Sequence, residues 1–347
     1  MKIFIDIGHP AHVHYFKNLI HEMTSEGAEF IITARNKEVT QLLLQKEGIP
    51  FTTRGTGNSS FIGKAIYTIK ADYQLFKIAY KEKPDLFLSF ASPYCAHVSK
   101  LMGKPHIAID DTETAKIGQT LYRPFTDTIL TPETFDKDFG KKHIRFPSYI
   151  EFCYLHPKRF KPDPSIYSDF GIEKGEKYII MRFVAWTANH DFGQKGISLE
   201  KRTRAVEEFS RYAKVFISSE SELPESLKKY QIRIPPERIH HALAYASLLY
   251  GESGTMATES AVLGTPSIFI NDLGLKLGIL RSQAERYKLI NIFTESEEDQ
   301  IKSIEKGVEI LTAGKGAFKG NHKRFIADNI DMTGYLVDFV KGYFERA

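Results

Sequence analysis

The feature that most constrains this chain is an alternation. Short runs that are apolar at almost every position, "KIFIDI", "AEFIITA", "DLFLSF", "PHIAID" and "DTILT", recur as far as Phe135, and helical stretches lie between them. The first of these carries Phe16, Leu19, Ile20 and Met23 at the i, i+3, i+4, i+7 spacing of one buried helix face, with Gly27 standing where that helix should stop. Strands apolar on both faces must be covered on both sides. Helices between successive strands make the sheet parallel. The expectation is a doubly wound, Rossmann-like α/β lobe.

Over 147–177 the pattern dissolves into a stretch rich in proline and aromatic residues, which reads as a connection. A second alternation follows, with strands expected at "KYIIMRFVAW", "KVFIS", "SLLYG" and "PSIFIN" and helices over 198–213, 240–246, 255–263, 278–287 and 297–311. A length of 347 residues suits two domains. The expected organisation is a first lobe over 1–150, a connection over 151–176, a second lobe over 177–320 and a closing helical segment over 321–347 that packs back towards the first lobe. Two such lobes facing each other leave a cleft.

Composition excludes several classes. With 42% hydrophobic and 26% charged residues the chain belongs with folded globular proteins, not with disordered or fibrous ones. Its formal charge of +4 is spread along the sequence, so no nucleic-acid partner is expected. Cys95 and Cys153 stand far apart with no CxxC pair, which argues against a disulfide framework or a zinc site and for a reducing cytoplasm. Asp6 interrupts the first apolar run, and no stretch approaches the roughly 18 apolar residues of a spanning helix. Neither a signal peptide nor a membrane span is expected.

Four stretches carry chemistry. In "GESGTMATESAVLGTP" the small residues Ser253, Gly254 and Thr255 sit between a strand and a helix, where backbone N–H groups and two hydroxyls can close on a phosphate or pyrophosphate. Glu259, four residues on, shares a helix face with Thr255 and can accept hydrogen bonds from the vicinal hydroxyls of a ribose. Equally, Ser253 caps the helix, Glu259 is an acid favoured by the dipole, and Gly264 ends the helix before Pro266.

In "DIGHPAHVHYF" Gly8 follows the first strand, and His9 and His12 fall at the carboxyl end of the first sheet. A histidine there can act as general base, its ordinary pKa being near 6.5; loop and cap residues are the alternative. The spacing of His9, His12 and His14 is not that of a metal motif, and neither metal nor cofactor is expected. In "MRFVAWTANHDFGQKG" Arg182 can neutralise a pyrophosphate, helped by Asn189, His190 or Lys195, with Trp186 as packing. In "AIDDTETAKIG" Asp110, Asp111 and Glu113 follow a strand. Asp111 reads either as a base with a raised pKa or as the cap of a helix beginning near Glu113.

The run "SLLYGESGTMATESAVLGTPSIFI" resembles the nucleotide-sugar signature of the GT-B glycosyltransferase and UDP-N-acetylglucosamine 2-epimerase superfamily, and the chain resembles the DUF354 group within it. That resemblance implies a GT-B fold and a metal-independent transfer of sugar from a nucleotide-diphosphate-sugar, UDP-linked, to an acceptor hydroxyl. It also implies Ser253, Gly254 and Thr255 on the donor pyrophosphate, Glu259 on the ribose, and His240 near the base, although after Pro235 and Pro236 a plain helix start explains His240 too. Glycosyltransferases that act on the lipid intermediate of peptidoglycan carry a glycine-rich loop ending in histidine where this chain has "GHPAH". The single glycine departs from that pattern. The 2-epimerases share the fold, but their Gly-Thr-Arg-Pro and Thr-His-Arg-Arg-Glu-Asn motifs are absent. A glycan or lipid-linked acceptor is expected: within 55–83, Phe61, Ile62 and Ile66 beside Lys64 could lie peripherally on a membrane surface, and a solvated loop before a core helix accounts for them equally.

Overall fold

The computed structural model describes residues 1–55, 61–184 and 196–345, with the backbone alone for Phe61, Ile62, Lys64, Ala65 and Glu345. The chain divides into two compact units: Met1–Tyr154 with Ile330–Ala347, and Leu155–Asn329.

The first unit is built on strands β1 (Lys2–Ile7), β2 (Glu29–Ala34), β3 (Thr52–Thr53), β4 (Leu86–Phe90), β5 (His106–Ile109), β6 (Thr128–Pro132) and β7 (His143–Phe146). They form one sheet in the order β3-β2-β1-β4-β5-β6-β7, parallel at every pairing. In β1, Ile3, Phe4, Ile5 and Ile7 are wholly buried, as a central strand covered on both faces requires. The second unit holds β8 (Tyr178–Phe183), β9 (Lys214–Ser219), β10 (Leu248–Gly251), β11 (Ser267–Ile270) and β12 (Ile290–Phe293), again all parallel, in the order β12-β11-β10-β8-β9. Two doubly wound α/β units are therefore present, the fold class expected from the alternation. β3, β7 and β12 are additional strands at sheet edges.

Each order reverses once, between β1 and β4 in the first sheet and between β8 and β10 in the second. Connections leave such a point towards opposite faces, so a crevice opens beyond the carboxyl ends of the two strands. The expected site residues follow β1, β5, β8 and β10. Topology thus places three of the four motifs beside a switch point.

Two segments differ from expectation. The 151–176 stretch carries short helices at Phe152–Leu155 and Ile166–Asp169, and Phe152, Cys153, Tyr154 and Ile166 are buried. The C-terminal segment is two helices, not one. Lys319–Ala327 belongs to the second unit, whereas Met332–Glu345 lies in the first, where Thr333 donates to the Cys153 carbonyl at 2.6 Å and Lys341 pairs with Glu26 at 2.5 Å. Among the described residues no helix is long and apolar enough to cross a membrane.

Gly251 shows why its position admits no side chain. In register with Arg182 of β8, it would place a Cβ 2.0 Å from the Arg182 carbonyl oxygen. Backbone against backbone leaves little room to yield. Gly251→Ala should therefore destabilise the second unit by about 3 kcal/mol, read as a lowered urea midpoint; an unchanged midpoint would mean that β8 and β10 are not held this closely.

Candidate functional site

In the second unit, the turn after β10 opens into the helix Gly254–Val262. Ser253 is its N-cap, its hydroxyl accepting from the Met256 amide at 3.3 Å, and the Ala257 amide donates to the Ser253 carbonyl. The amides of Gly254 and Thr255 have no acceptor among the described residues, and Thr255 is exposed. Capping and anion binding are here compatible, since Ser253 satisfies one amide of the first turn and leaves the two outermost facing away from the helix. One turn inside, Glu259 is buried, and its Oε1 lies 2.9 Å from Nε2 of His240. Two residues expected at the nucleotide are thus in contact. His240 comes from the helix Ile239–Tyr245.

Across the switch point, Arg182 donates to Ser218 at 2.8 Å and to Glu220 at 2.5 Å. Its charge is shared with the carboxylate of the residue that follows β9. Trp186, Asn189, His190 and Lys195 lie outside the described residues. The chain on either side of them converges on Glu252, which sequence reasoning passed over: its Oε2 accepts from the Val184 amide at 2.9 Å and its Oε1 from the Ile197 amide at 2.5 Å, with Arg202 at 3.3 Å. Burial raises the Glu252 pKa against the pull of Arg202 and these amides.

In the first unit, the helix Pro10–Ser25 has proline in its first turn and His9 as N-cap, the His9 Nδ1 accepting from the Ala11 amide at 3.2 Å. His9 therefore does serve as a cap. His12 Nδ1 accepts from the Gly8 amide at 3.3 Å, and its ring packs 4.9 Å from Phe90. Burial, reinforced by His9, Arg54 and Lys37, holds the His12 pKa well below 6.5. With Nδ1 engaged as acceptor, the neutral ring carries its proton on Nε2. His12 is then built to donate a hydrogen bond, which departs from the base expected of it.

Beside these residues lies a cavity of about 230 Å³ bounded by Gly8, His12, Arg35, Arg54, Tyr67 and Tyr94 among others. Its organiser is Asp6, wholly buried at the end of β1. Asp6 accepts from Arg54 Nε at 2.7 Å, Thr33 Oγ1 at 2.9 Å and Ser92 Oγ at 2.6 Å. Arg54 is 3% exposed, donates to the Tyr67 hydroxyl at 2.5 Å and stacks 4.6 Å from the Tyr94 ring. Burial alone lowers its pKa; Asp6, together with Tyr67 and Tyr94, more than offsets this and leaves it raised. The cavity wall includes Ala91, held at φ 47°, a left-handed conformation that a side chain disfavours and that persists only where the surroundings fix it. Nothing in "TTRG" marks Arg54 in advance; only the fold brings it to Asp6.

After β5, Asp110 accepts from Tyr122 at 2.7 Å, Gln119 at 3.2 Å and the Thr112 amide at 3.0 Å. Asp111 accepts from the Thr112 hydroxyl at 2.7 Å. The following helix is Lys116–Tyr122 with Ala115 at its cap position, so Asp111 does not cap it. Burial, with Asp110 and Glu113 adding to it, lifts the Asp111 pKa to about 7. A carboxyl in that range exchanges protons at neutral pH. Among the described residues no His, Cys, Asp and Glu side chains are grouped to hold a metal ion.

The Asp111 shift has a measurable sign. An unfolded aspartate titrates near 3.9, so between about pH 4 and pH 7 the folded chain keeps a proton that the unfolded chain releases, and stability falls as pH rises through that window. Asp111→Asn should remove this loss. Urea titrations at pH 4.5 and 7.5 are expected to show the wild type losing on the order of 3 kcal/mol relative to the variant; parallel behaviour would place the carboxyl at its ordinary pKa.

Comparison with known proteins bears on the whole chain. A protein of Methanocaldococcus jannaschii named uncharacterized protein MJ0665 is 26% identical over 301 residues, covering 84% of this chain and 87% of the relative. A solved UDP-GlcNAc 2-epimerase from Neisseria meningitidis bound to UDP-GlcNAc superposes with a TM-score of 0.70 at 12% identity, covering 100% of both chains. The spinosyn rhamnosyltransferase SpnG, complexed with spinosyn aglycone, gives a TM-score of 0.65 at 11% identity over 98% of this chain and 100% of its own. At such identities the likeness is one of fold, the GT-B fold of sugar-nucleotide epimerases and glycosyltransferases. The model of one family, described as "Protein of unknown function (DUF354)", matches residues 1–302, and the chain belongs to that family.

Proposed function

We propose that this protein is a glycosyltransferase that moves a sugar from a nucleotide-diphosphate-sugar, a UDP-sugar in the first instance, to an acceptor hydroxyl. The observation that carries the reading is the turn after β10, where the outward amides of Gly254 and Thr255 stand one helical turn from the buried Glu259–His240 pair. The amides suit a diphosphate, and the carboxylate suits the two hydroxyls of the ribose attached to it, with His240 fixing the carboxylate from behind. The solved relatives bound to UDP-GlcNAc and to an aglycone acceptor support this donor and this class of reaction.

In the proposed reaction the acceptor hydroxyl attacks the anomeric carbon, its proton passes to Asp111, and the bond to the diphosphate breaks. Negative charge developing on the leaving oxygen is met by the helix amides and by Arg182, which does not require a metal ion. His12, donating from Nε2, orients the acceptor. The acceptor we favour is a glycan or a lipid-linked sugar of the cell surface, handled at the cytoplasmic face of the membrane. In support, the helix Phe61–Glu82 exposes Ile66, Ile69, Tyr73 and Tyr80 together with Lys70, Lys77 and Lys81, an apolar stripe with a basic border.

Incubation with UDP-GlcNAc, followed by proton NMR of the anomeric and C2 positions, tests the reading. Release of UDP only when acceptor is added is the expected result. Formation of UDP-ManNAc would establish the 2-epimerase reading, which the close likeness to epimerase structures keeps in view, and saturable binding without turnover would make the protein a binding module. Glu259→Gln should weaken UDP binding at least about tenfold, or 1.4 kcal/mol, with the circular dichroism spectrum unchanged. Calorimetry giving equal affinities would remove Glu259 from the ribose.

A further inference from the structure

One inward-turned cation of the second unit has no carboxylate partner among the described residues. Lys315 opens the short turn Lys315–Phe318, between the helices Glu297–Ala313 and Lys319–Ala327, and its Nζ donates to the Ala244 carbonyl at 2.5 Å and to Thr265 Oγ1 at 2.6 Å. Both acceptors are neutral. The charged and titratable groups on the elements around it are engaged elsewhere or exposed: Glu309 of the preceding helix pairs with Lys306, Tyr245 donates to the Pro162 carbonyl, and Lys319 and Lys323 of the following helix face solvent. His322 is the group that feels its charge. Burial holds the Lys315 ammonium down, to about 8. A buried cation answered only by dipoles costs stability, so its presence asks for another reason.

That reason lies in where the acceptors stand. Ala244 belongs to the last turn of the helix Ile239–Tyr245, which carries His240, and Thr265 follows the helix Gly254–Val262, which carries Glu259. Thr265 ties the two together, its hydroxyl donating to the Leu243 carbonyl at 2.6 Å and its amide to the Ser260 carbonyl at 2.8 Å. His322 donates from Nε2 to the Val262 carbonyl at 2.8 Å, and its ring lies so close that a Cβ added to Gly264 would stand 2.8 Å from it. Two helix C-termini, each the negative end of a dipole, thus meet at Gly264 and Thr265 under one cation and one imidazole. We propose that Lys315 is a positioning residue for the nucleotide: its charge clamps the last turns of both helices and so fixes the Glu259–His240 pair and the amide turn relative to each other. A charged donor holds these acceptors more strongly than a neutral amine would, and a cation at the C-terminus reinforces the dipole whose other end carries the free amides. Calling the bound group a nucleotide rests on the transferase reading; the clamp itself does not.

Affinity and stability should then move in opposite directions with pH. An unfolded lysine titrates near 10.4, so from about pH 8 to pH 10 the unfolded chain keeps a proton that the folded chain has released, and Lys315 makes stability rise with pH across that window. UDP affinity should instead fall, on the order of fivefold, as the same proton leaves. A side chain that only filled space would not link the two. Calorimetry of UDP binding to the full-length protein from pH 7 to pH 9 compares the wild type with Lys315→Arg, charged throughout, and Lys315→Met, which has no charge. Taken as a ratio to Lys315→Met, the wild-type affinity should fall through pH 8 and that of Lys315→Arg should stay constant. In parallel, ¹H–¹⁵N NMR of the protein without ligand should show a step in the His240 ring signals near pH 8 that Lys315→Met lacks; should that variant fail to fold, the wild-type step decides alone. Wild-type affinity running parallel to that of Lys315→Met, or no His240 step, overturns the proposal. A His240 step in a protein that binds no UDP would leave the clamp standing and remove the nucleotide reading instead.

Discussion

One buried carboxylate organises the carboxyl end of the first sheet. Asp6, the last residue but one of β1, faces Thr33 of β2 and Ser89 of β4 in register, and takes hydrogen bonds from β2, from the residue following β3 and from the cap of the helix that follows β4. An isolated charge in that position would be strongly unfavourable; three donors, one of them a cation, offset its desolvation. The arrangement is mutual. Without Asp6 the guanidinium of Arg54, 3% exposed, would be a buried charge with only ring faces and a phenol for company. The pair therefore fixes the floor of the cavity as a unit, and Ser92, by bonding Asp6 and capping its own helix together, ties the strained turn at Ala91 to that floor.

The two units solve one problem by different means. Both gather polar groups at a topological switch point, where strand ends and helix starts leave such groups open. In the first unit the positive character comes from side chains, Arg35 and Arg54, with His12 kept neutral among them. In the second it comes from backbone amides at a helix start, and Arg182 is shared with Glu220. A small-residue turn allows the main chain to approach a ligand closely, and Gly251 allows β10 to approach β8. A cavity lined with guanidinium groups instead selects by charge and planarity.

Much of the fold was legible in the sequence because central parallel strands must be apolar on both faces: β1, β2, β4, β5 and β6 stand out on that ground alone. β3 and β7 do not. Thr52 and Thr53 are exposed, and β7 reads half-exposed, exposed, exposed, buried, as edge strands with one open side do. Local signals also located the turn around Ser253 and the cap at His9. Contacts between distant segments left no local trace. The Asp6–Arg54 pair spans 48 positions and the Glu252–Ile197 bond 55, so neither periodicity nor motif could announce them. Asp6 was visible only as an interruption of an apolar run, though that interruption was itself the trace of its role. The helix start after Asp111 was misplaced because Thr112 satisfies the carboxylate without a helix.

Glu252 has a consequence of an evolutionary kind. Since one side chain grips the main chain at both Val184 and Ile197, the exit from β8 and the re-entry before the helix Leu199–Phe209 are moored to a common post. A change in the sequence between those two attachments would leave both of them, and the register of the sheet, in place. A lineage could thereby exchange the intervening sequence alone, leaving the turn after β10 untouched.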